Sequence, residues 1–181
     1  INCDTLLEDY IDNPFLKKFY DDNQSNSFTT QMFFLLRRIE QSIKVKDSKN
    51  MIVSDFYFGK DDLFAKLNLN SIEYNMYSEI RQKLRFDPPT PDLIIYLQAS
   101  TDILLERIKN RGLDLESNIK KKYIDSVNDV YMTHFHKYNA SPLLIINTSN
   151  VNINKERDFL MLIDQISADI NGKKYFNPSS L

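Results

Sequence analysis

The chain has 181 residues, of which 42% are hydrophobic and 12% are aromatic. This composition is enough for one buried core and excludes a disordered chain. Its 23 basic and 25 acidic side chains give a net charge of −2, which excludes a whole-protein field that would attract nucleic acid or a membrane surface. We therefore expect a single domain over residues 1–181, no nucleic-acid partner, and local binding of any anion.

Few residues are available for disulfides or metal sites. Cys3 is the only cysteine, and His134 and His136 are the only histidines, so neither an internal disulfide nor a thiolate zinc cluster is expected. No apolar run approaches the ~20 residues that span a bilayer, and no signal peptide is recognisable. The sequence predicts a cytoplasmic protein with no membrane partner and no metal site built from its own ligands.

Short strand patterns alternate with helical ones in the first half of the chain. The pattern of residues 4–8 predicts a strand, with Glu8 at its end next to a loop. A helix is predicted to start at Asn13-Pro14, since proline is tolerated at a first helical position. A second short strand, at residues 51–53, is predicted to be buried. Helical periods cover residues 25–46, 57–67 and 71–84, the last with Ile72, Met76 and Ile80 as its apolar stripe.

The longest of these helices carries a polar pair on its apolar face. Gln31 and Arg38 are seven residues apart, which places them two turns apart on the same side as the core residues. A buried polar group is costly unless it is hydrogen-bonded, so this pair requires a partner from another element.

The second half continues the same alternation. The apolar run at residues 93–97 does not alternate with polar residues, which is typical of a parallel strand covered on both faces. A helix with a basic C-terminal end follows, and then come a helix at 119–138, a strand at 142–147, a helix at 155–170 and, from about residue 171, a peripheral tail. Strands separated by helices predict an α/β fold with a parallel sheet.

Taken in order, these segments resemble the deoxynucleoside kinase family. The matching runs are LLEDYIDNPFLKKFY, FTTQMFFLLRR, LFAKLNL, PDLIIYLQAS, LLERIKNRG and YIDSVNDVY, which together extend from residue 6 to about residue 148. The resemblance implies a P-loop kinase fold, a three-layer parallel sheet flanked by helices. It also implies transfer of the γ-phosphate of ATP, with Mg²⁺, to the 5′-hydroxyl of a deoxynucleoside.

The resemblance assigns the acceptor side of the site residue by residue. Glu8 aligns with the general base toward the 5′-hydroxyl. Tyr20 and Glu116 align with residues that contact the sugar 3′-hydroxyl. Gln31 aligns with the base-reading glutamine, whose amide both donates and accepts, and Arg38 fits a second contact on the base side.

Arg107 and Arg111 align with lid arginines that neutralise charge on the transferring phosphoryl group and the donor. Their residue type also suits a plain helix C-terminus, where the helix dipole favours cations, and this alternative stays open. The family often has a further arginine after the glycine, but Leu113 stands there.

The region after the second strand departs further from the family pattern. The family usually has an acidic residue followed by an arginine, whereas here Asp55 is followed by Phe56. We interpret Asp55 as the counterpart of the family's acidic residue. Lys60 is expected to supply a positive charge to the substrate site in place of the missing arginine, although lysine cannot make the bidentate contacts of arginine.

A glycine-rich phosphate loop of the form G-x-x-x-x-G-K-[ST] is absent from the sequence, whose glycines are Gly59, Gly112 and Gly172. In the family this loop follows the first, central strand, which would precede Ile1. We therefore expect a fragment that lacks the first strand and most of the donor site and is inactive by itself.

Two alternative functions remain open on the sequence. The departures after Asp55 and at Leu113 also fit a catalytically impaired, kinase-derived nucleoside-binding domain. The arginine-bearing lid also fits thymidylate kinase or another nucleoside monophosphate kinase. A homodimer formed through the long helices is expected from the resemblance.

Overall fold

The computed structural model describes residues 3–22 and 26–178 and divides into two compact units. The first unit contains Ile1–Pro89 and Gly112–Val130, and the second contains Thr90–Arg111 and Tyr131–Leu181. Each unit combines parallel strands with helices, so the predicted α/β class is confirmed. The single domain over residues 1–181 stays a prediction.

The elements follow the predicted order along the chain. They are β1 (Asp4–Leu6), α1 (Leu16–Asp21), α2 (Ser27–Asp47), β2 (Ile52–Ser54), α3 (Lys60–Asn68), α4 (Ser71–Leu84), β3 (Ile94–Gln98), α5 (Thr101–Arg111), a 3₁₀ turn (Asp114–Glu116), α6 (Lys121–Lys137), β4 (Leu143–Asn147), α7 (Glu156–Ser167) and β5 (Lys173–Phe176).

The first unit is built on a parallel pair of strands, β1 and β2, with Thr5 opposite Val53. Its core lies among α2, α3 and α4, where Leu35, Ala65 and Tyr77 are fully buried. The predicted burial of β2 is wrong, because Val53 is 53% exposed.

Helix α4 begins at a capping box, in which Asn70 and Glu73 exchange side-chain and backbone hydrogen bonds. Its orientation differs from the prediction. Tyr77 faces the core, whereas Ile72 is 73% exposed and Met76 is 51% exposed. The helical period was visible in the sequence, but the buried aromatic ring outweighs the aliphatic stripe in choosing the inward face.

The second unit contains a parallel sheet in the order β3-β4-β5. The central strand β4 lies where the sequence predicts a strand, and four of its five residues are buried. The expectation that β3 is covered on both faces is wrong, because Ile94 and Tyr96 are buried while Leu97 is 59% exposed. The chain from about residue 171 is also more than a peripheral tail, since Lys173–Phe176 pairs with β4 as an edge strand.

Within the described ranges, every helix is too short or too polar to cross a membrane.

Candidate active site

Two carboxylates lie where the strands of the first unit end. Glu8 follows β1 and Asp55 follows β2, and the carboxyl ends of parallel strands meet at one edge of a sheet, where α/β proteins place their ligands. The Glu8 N–H donates to Oδ1 of Asp55 at 2.7 Å. Asp55 therefore fixes the backbone of Glu8 in this structure.

The Glu8 carboxylate is held by two cations from different helices. Arg38 of α2 donates through Nε to Oε1 at 2.8 Å, and Lys60 at the start of α3 donates through Nζ to Oε2 at 2.7 Å. The exposed fractions of the three side chains are 3% for Arg38, 14% for Lys60 and 16% for Glu8. Each carboxylate oxygen thus has its own cationic donor.

A further carboxylate, Asp61, completes this cluster and was not singled out from the sequence. It is fully buried. Oδ1 accepts from Nη1 of Arg38 and, at 2.9 Å, from Nε2 of Gln31, whose Nε2 also donates to the Asp61 carbonyl at 3.0 Å. Oδ2 accepts from the hydroxyl of Tyr77.

Asp61 is the partner that Gln31 and Arg38 were predicted to require, and that expectation is confirmed. A signal for it was present in the sequence. Asp61 shares a helix face with Ala65, four residues later, so a helical reading of this segment places a carboxylate on its buried side. A carboxylate at such a position has to be paired, and Arg38 is the matching charge.

The pKa values follow from burial and from these contacts. Burial alone raises the pKa of Glu8, but the charges and hydrogen bonds of Arg38 and Lys60 outweigh it and hold the pKa below the ordinary 4.5. Burial dominates at Asp61 and raises its pKa, against the opposing effects of Arg38 and Tyr77. Burial likewise lowers the pKa of Lys60, although Glu8 opposes this shift. Glu8 therefore has a lowered pKa and Asp61 a raised one, so the contacts of Arg38 and Lys60 favour the ionised form of Glu8.

The predicted sugar-binding residues lie on two segments that contact each other. Tyr20 is on α1, and Glu116 is buried in the 3₁₀ turn. Two polar contacts join the segments: Lys17 pairs with Asp114 at 2.6 Å, and Asn118 donates to Asp21 at 2.6 Å. The structure thus brings Tyr20 and Glu116 into one region of the first unit.

The two lid arginines belong to the second unit. Arg107 donates from Nη1 to Oγ1 of Thr148 at 2.9 Å and from Nη2 to the Thr148 carbonyl at 2.7 Å. Arg111 is the last residue of α5, and Gly112 after it has φ +68°, a left-handed conformation suited to glycine at a helix end. Arg107 thus ties α5 to the end of β4.

Comparison with solved structures places this fold in the P-loop kinase-like class. A deoxyadenosine kinase from M. mycoides, determined with bound dATP, matches with a TM-score of 0.75 at 23% identity over 92% of this chain and 86% of that chain. The same enzyme with its products bound gives a TM-score of 0.78 at 24% identity, over 91% of this chain and 85% of that chain.

The family follows from the sequence comparison. The family model described as deoxynucleoside kinase matches residues 3–171. The chain belongs to the deoxynucleoside kinase family, whose members are phosphotransferases that act on a nucleoside hydroxyl.

Curated relatives agree with this assignment. The deoxyadenosine/deoxycytidine kinase of Bacillus subtilis is 28% identical over 92% of this chain and 81% of the relative. Deoxyadenosine kinases of Lactobacillus acidophilus and Dictyostelium discoideum are 31% and 30% identical, covering 84% and 98% of this chain and 79% and 73% of the relatives. These comparisons do not favour the monophosphate kinase or the inactive binding domain.

Proposed function

We propose that the full-length protein transfers the γ-phosphate of ATP to the 5′-hydroxyl of a deoxynucleoside, with Glu8 as general base. The observation that carries the proposal is the Glu8 carboxylate at the end of β1, held ionised between Arg38 and Lys60. An ionised, oriented carboxylate accepts the proton of the attacking hydroxyl. Most of the rate enhancement in phosphoryl transfer comes from positioning and charge neutralisation, which the surrounding cations supply.

Recognition of the nucleobase is assigned to Gln31, and Arg38 is the second residue proposed to contact the nucleobase side of the substrate. The Nε2 group of Gln31 donates two hydrogen bonds to Asp61, and an amide nitrogen has two hydrogens. This leaves Oε1, which accepts no hydrogen bond from the described residues, to accept from an N–H group of a base. Asp61 is thus proposed to orient the Gln31 amide toward the nucleobase of the substrate.

The remaining site residues keep the roles that the family pattern gives them. Tyr20 and Glu116 bind the sugar 3′-hydroxyl, and their contacting segments support this assignment. Arg107 and Arg111 neutralise phosphate charge. Asp55 acts through the backbone of Glu8.

Mg²⁺ is proposed to arrive with ATP, held mainly by the phosphates. Among residues 3–22 and 26–178, no group of three or more His, Cys, Asp or Glu side chains is arranged to hold a metal ion. Mg²⁺ in phosphotransferases needs only one or two carboxylates in addition to substrate phosphates. When bound, the ion would neutralise phosphate charge during transfer.

A substrate panel tests the proposed function. The full-length protein is incubated with ATP, Mg²⁺ and each deoxynucleoside, or with the corresponding 5′-monophosphate, and products are separated chromatographically. We expect deoxynucleosides with an N–H donor on the base edge to yield 5′-monophosphates. Turnover of monophosphates alone would contradict the proposal, as would calorimetric binding of a deoxynucleoside without any phosphorylation.

A homodimer completes the proposal, and α4 offers an exposed surface for it in addition to the long helices expected from the resemblance. Ile72 and Met76 form an exposed apolar stripe one turn apart on α4, and such stripes are common at subunit contacts. Light scattering after gel filtration is expected to give twice the chain mass, and Ile72→Asp with Met76→Asp to give a monomer. A wild-type monomer would contradict the dimer.

A cytoplasmic location is also part of the proposal. The unpaired Cys3 agrees with a reducing compartment.

A further inference from the structure

Lys60 stands in an unusual place for a lysine. It is the first residue of α3, its side chain is only 14% exposed, and its ammonium donates to Oε2 of Glu8 at 2.7 Å. The ammonium also lies 6.0 Å from the ring centre of Phe56, within the range of a cation–π contact. A long, flexible cation is thus fixed against one carboxylate and one aromatic ring.

The cluster needs this cation to balance its charge. Glu8 and Asp61 supply two carboxylates, and Arg38 contacts both of them. The residue after Asp55 is the uncharged Phe56, so the end of β2 offers no cation at that position. Without Lys60, one guanidinium would face two carboxylates in a buried site, and one carboxylate would tend to take up a proton.

We propose that Lys60 is a positioning residue for the general base, acting through Glu8 by holding its second oxygen and keeping the carboxylate ionised. The expected effect of Lys60 on kcat rests on the proposed kinase function. Its expected effect on the charge of Glu8 does not, because that effect follows from the contact between the two side chains. It replaces the direct substrate contact predicted for Lys60 from the sequence.

A double-mutant cycle separates action through Glu8 from direct contact with substrate. Lys60→Met is expected to lower kcat at least about tenfold while KM changes less than about threefold, because the base is disturbed and the substrate pocket is not. In a Glu8→Gln background the same substitution is expected to have no further effect on kcat. Lys60→Arg is expected to restore part of the lost rate, since it restores the charge.

Lys66→Met provides the matched control. Lys66 is on the same helix, but its side chain is 59% exposed and pairs with Asp62 in an i,i+4 contact. The control removes the same functional group from α3 without reaching Glu8. It is expected to leave kcat unchanged.

A second measurement does not depend on catalysis. The folded pKa of Glu8 lies below its ordinary 4.5, so the stability that ionised Glu8 contributes is present above that pH and is lost as the pH falls through the folded pKa. The difference in unfolding free energy between wild type and Glu8→Gln should therefore shrink as the pH falls through this range, which we call the acid window. With Lys60→Met in both proteins, the loss should occur at a higher pH, because Lys60 no longer favours the ionised form of Glu8.

The charged groups around this pair come from three elements. Arg38 of α2 and Lys60 of α3 face Glu8, and Asp55 after β2 adds its charge near Lys60. Asp61, which shares Arg38, is present in all four proteins, so its own titration enters each curve.

Two outcomes would overturn the inference. A further loss of kcat when Lys60→Met is added to Glu8→Gln would place Lys60 in direct contact with the substrate. An acid window that does not move in Lys60→Met would show that Lys60 does not keep Glu8 ionised. If wild type phosphorylated no nucleoside, the proposed function would fail, whereas the acid window would still decide whether Lys60 holds Glu8 ionised.

Discussion

Replacing Arg38 with methionine is expected to lower the unfolding free energy by about 3–5 kcal/mol, the range for breaking a buried ion pair from one side. The Arg38 side chain is 3% exposed and contacts both Glu8 and Asp61. Its removal leaves Asp61 without a bonded cation and Glu8 with Lys60 alone. The methylenes of methionine fill part of the space, so the loss reflects mainly the uncompensated carboxylates.

Chemical denaturation followed by circular dichroism measures this loss. Arg37→Met is the matched control, because Arg37 is the next residue back on α2 and pairs with Glu40 at the surface. It is expected to cause little change, as exposed pairs generally do. Arg38→Lys is a second variant, expected to retain part of the stability because an ammonium can serve one carboxylate but not the two-sided contact. Equal stability of Arg38→Met and Arg37→Met would contradict this account of the cluster.

Replacing Glu8 with glutamine is expected to reduce kcat of the full-length enzyme about 10²–10⁴-fold, the range for loss of a general base. KM for the deoxynucleoside is expected to change far less, because Gln31, Tyr20 and Glu116 are untouched. The amide keeps the shape of the side chain, but it cannot take the proton of the 5′-hydroxyl or carry the charge that pairs with Lys60.

Steady-state kinetics at saturating ATP would test this expectation, with Glu40→Gln as the matched control. Glu40 is on α2, its side chain is 60% exposed, and its contact is with Arg37. The control should retain wild-type kcat. A Glu8→Gln enzyme with unchanged kcat would remove Glu8 from the catalytic role and leave it as a structural carboxylate.

The candidate site shows how far local sequence patterns reach. The seven-residue spacing of Gln31 and Arg38 placed both on the buried face of α2, and the cost of burying them required a polar partner. The spacing did not identify that partner. Asp61 is 30 residues from Gln31 and 23 residues from Arg38, and its position depends on how the segment after β2 turns into α3.

Burial was predicted less well than secondary structure. The apolar run of β3 suggested cover on both faces, but Leu97 is largely exposed. On α4 the aliphatic stripe of Ile72 and Met76 was predicted to face inward, and Tyr77 does so instead. Periodicity reports the angle between side chains on one element, whereas burial depends on what other elements cover.

The sequence by itself therefore determined the order of strands and helices, the family and the identity of Glu8 as the candidate base, because these depend on residues close together in the chain. The tertiary structure decided the charge arrangement around that base. Arg38, Lys60 and Asp61 come from two helices that follow different strands, and a charge is stabilised by the atoms within a few ångströms of it, wherever they lie in the sequence. Folding alone made Lys60 a partner of Glu8.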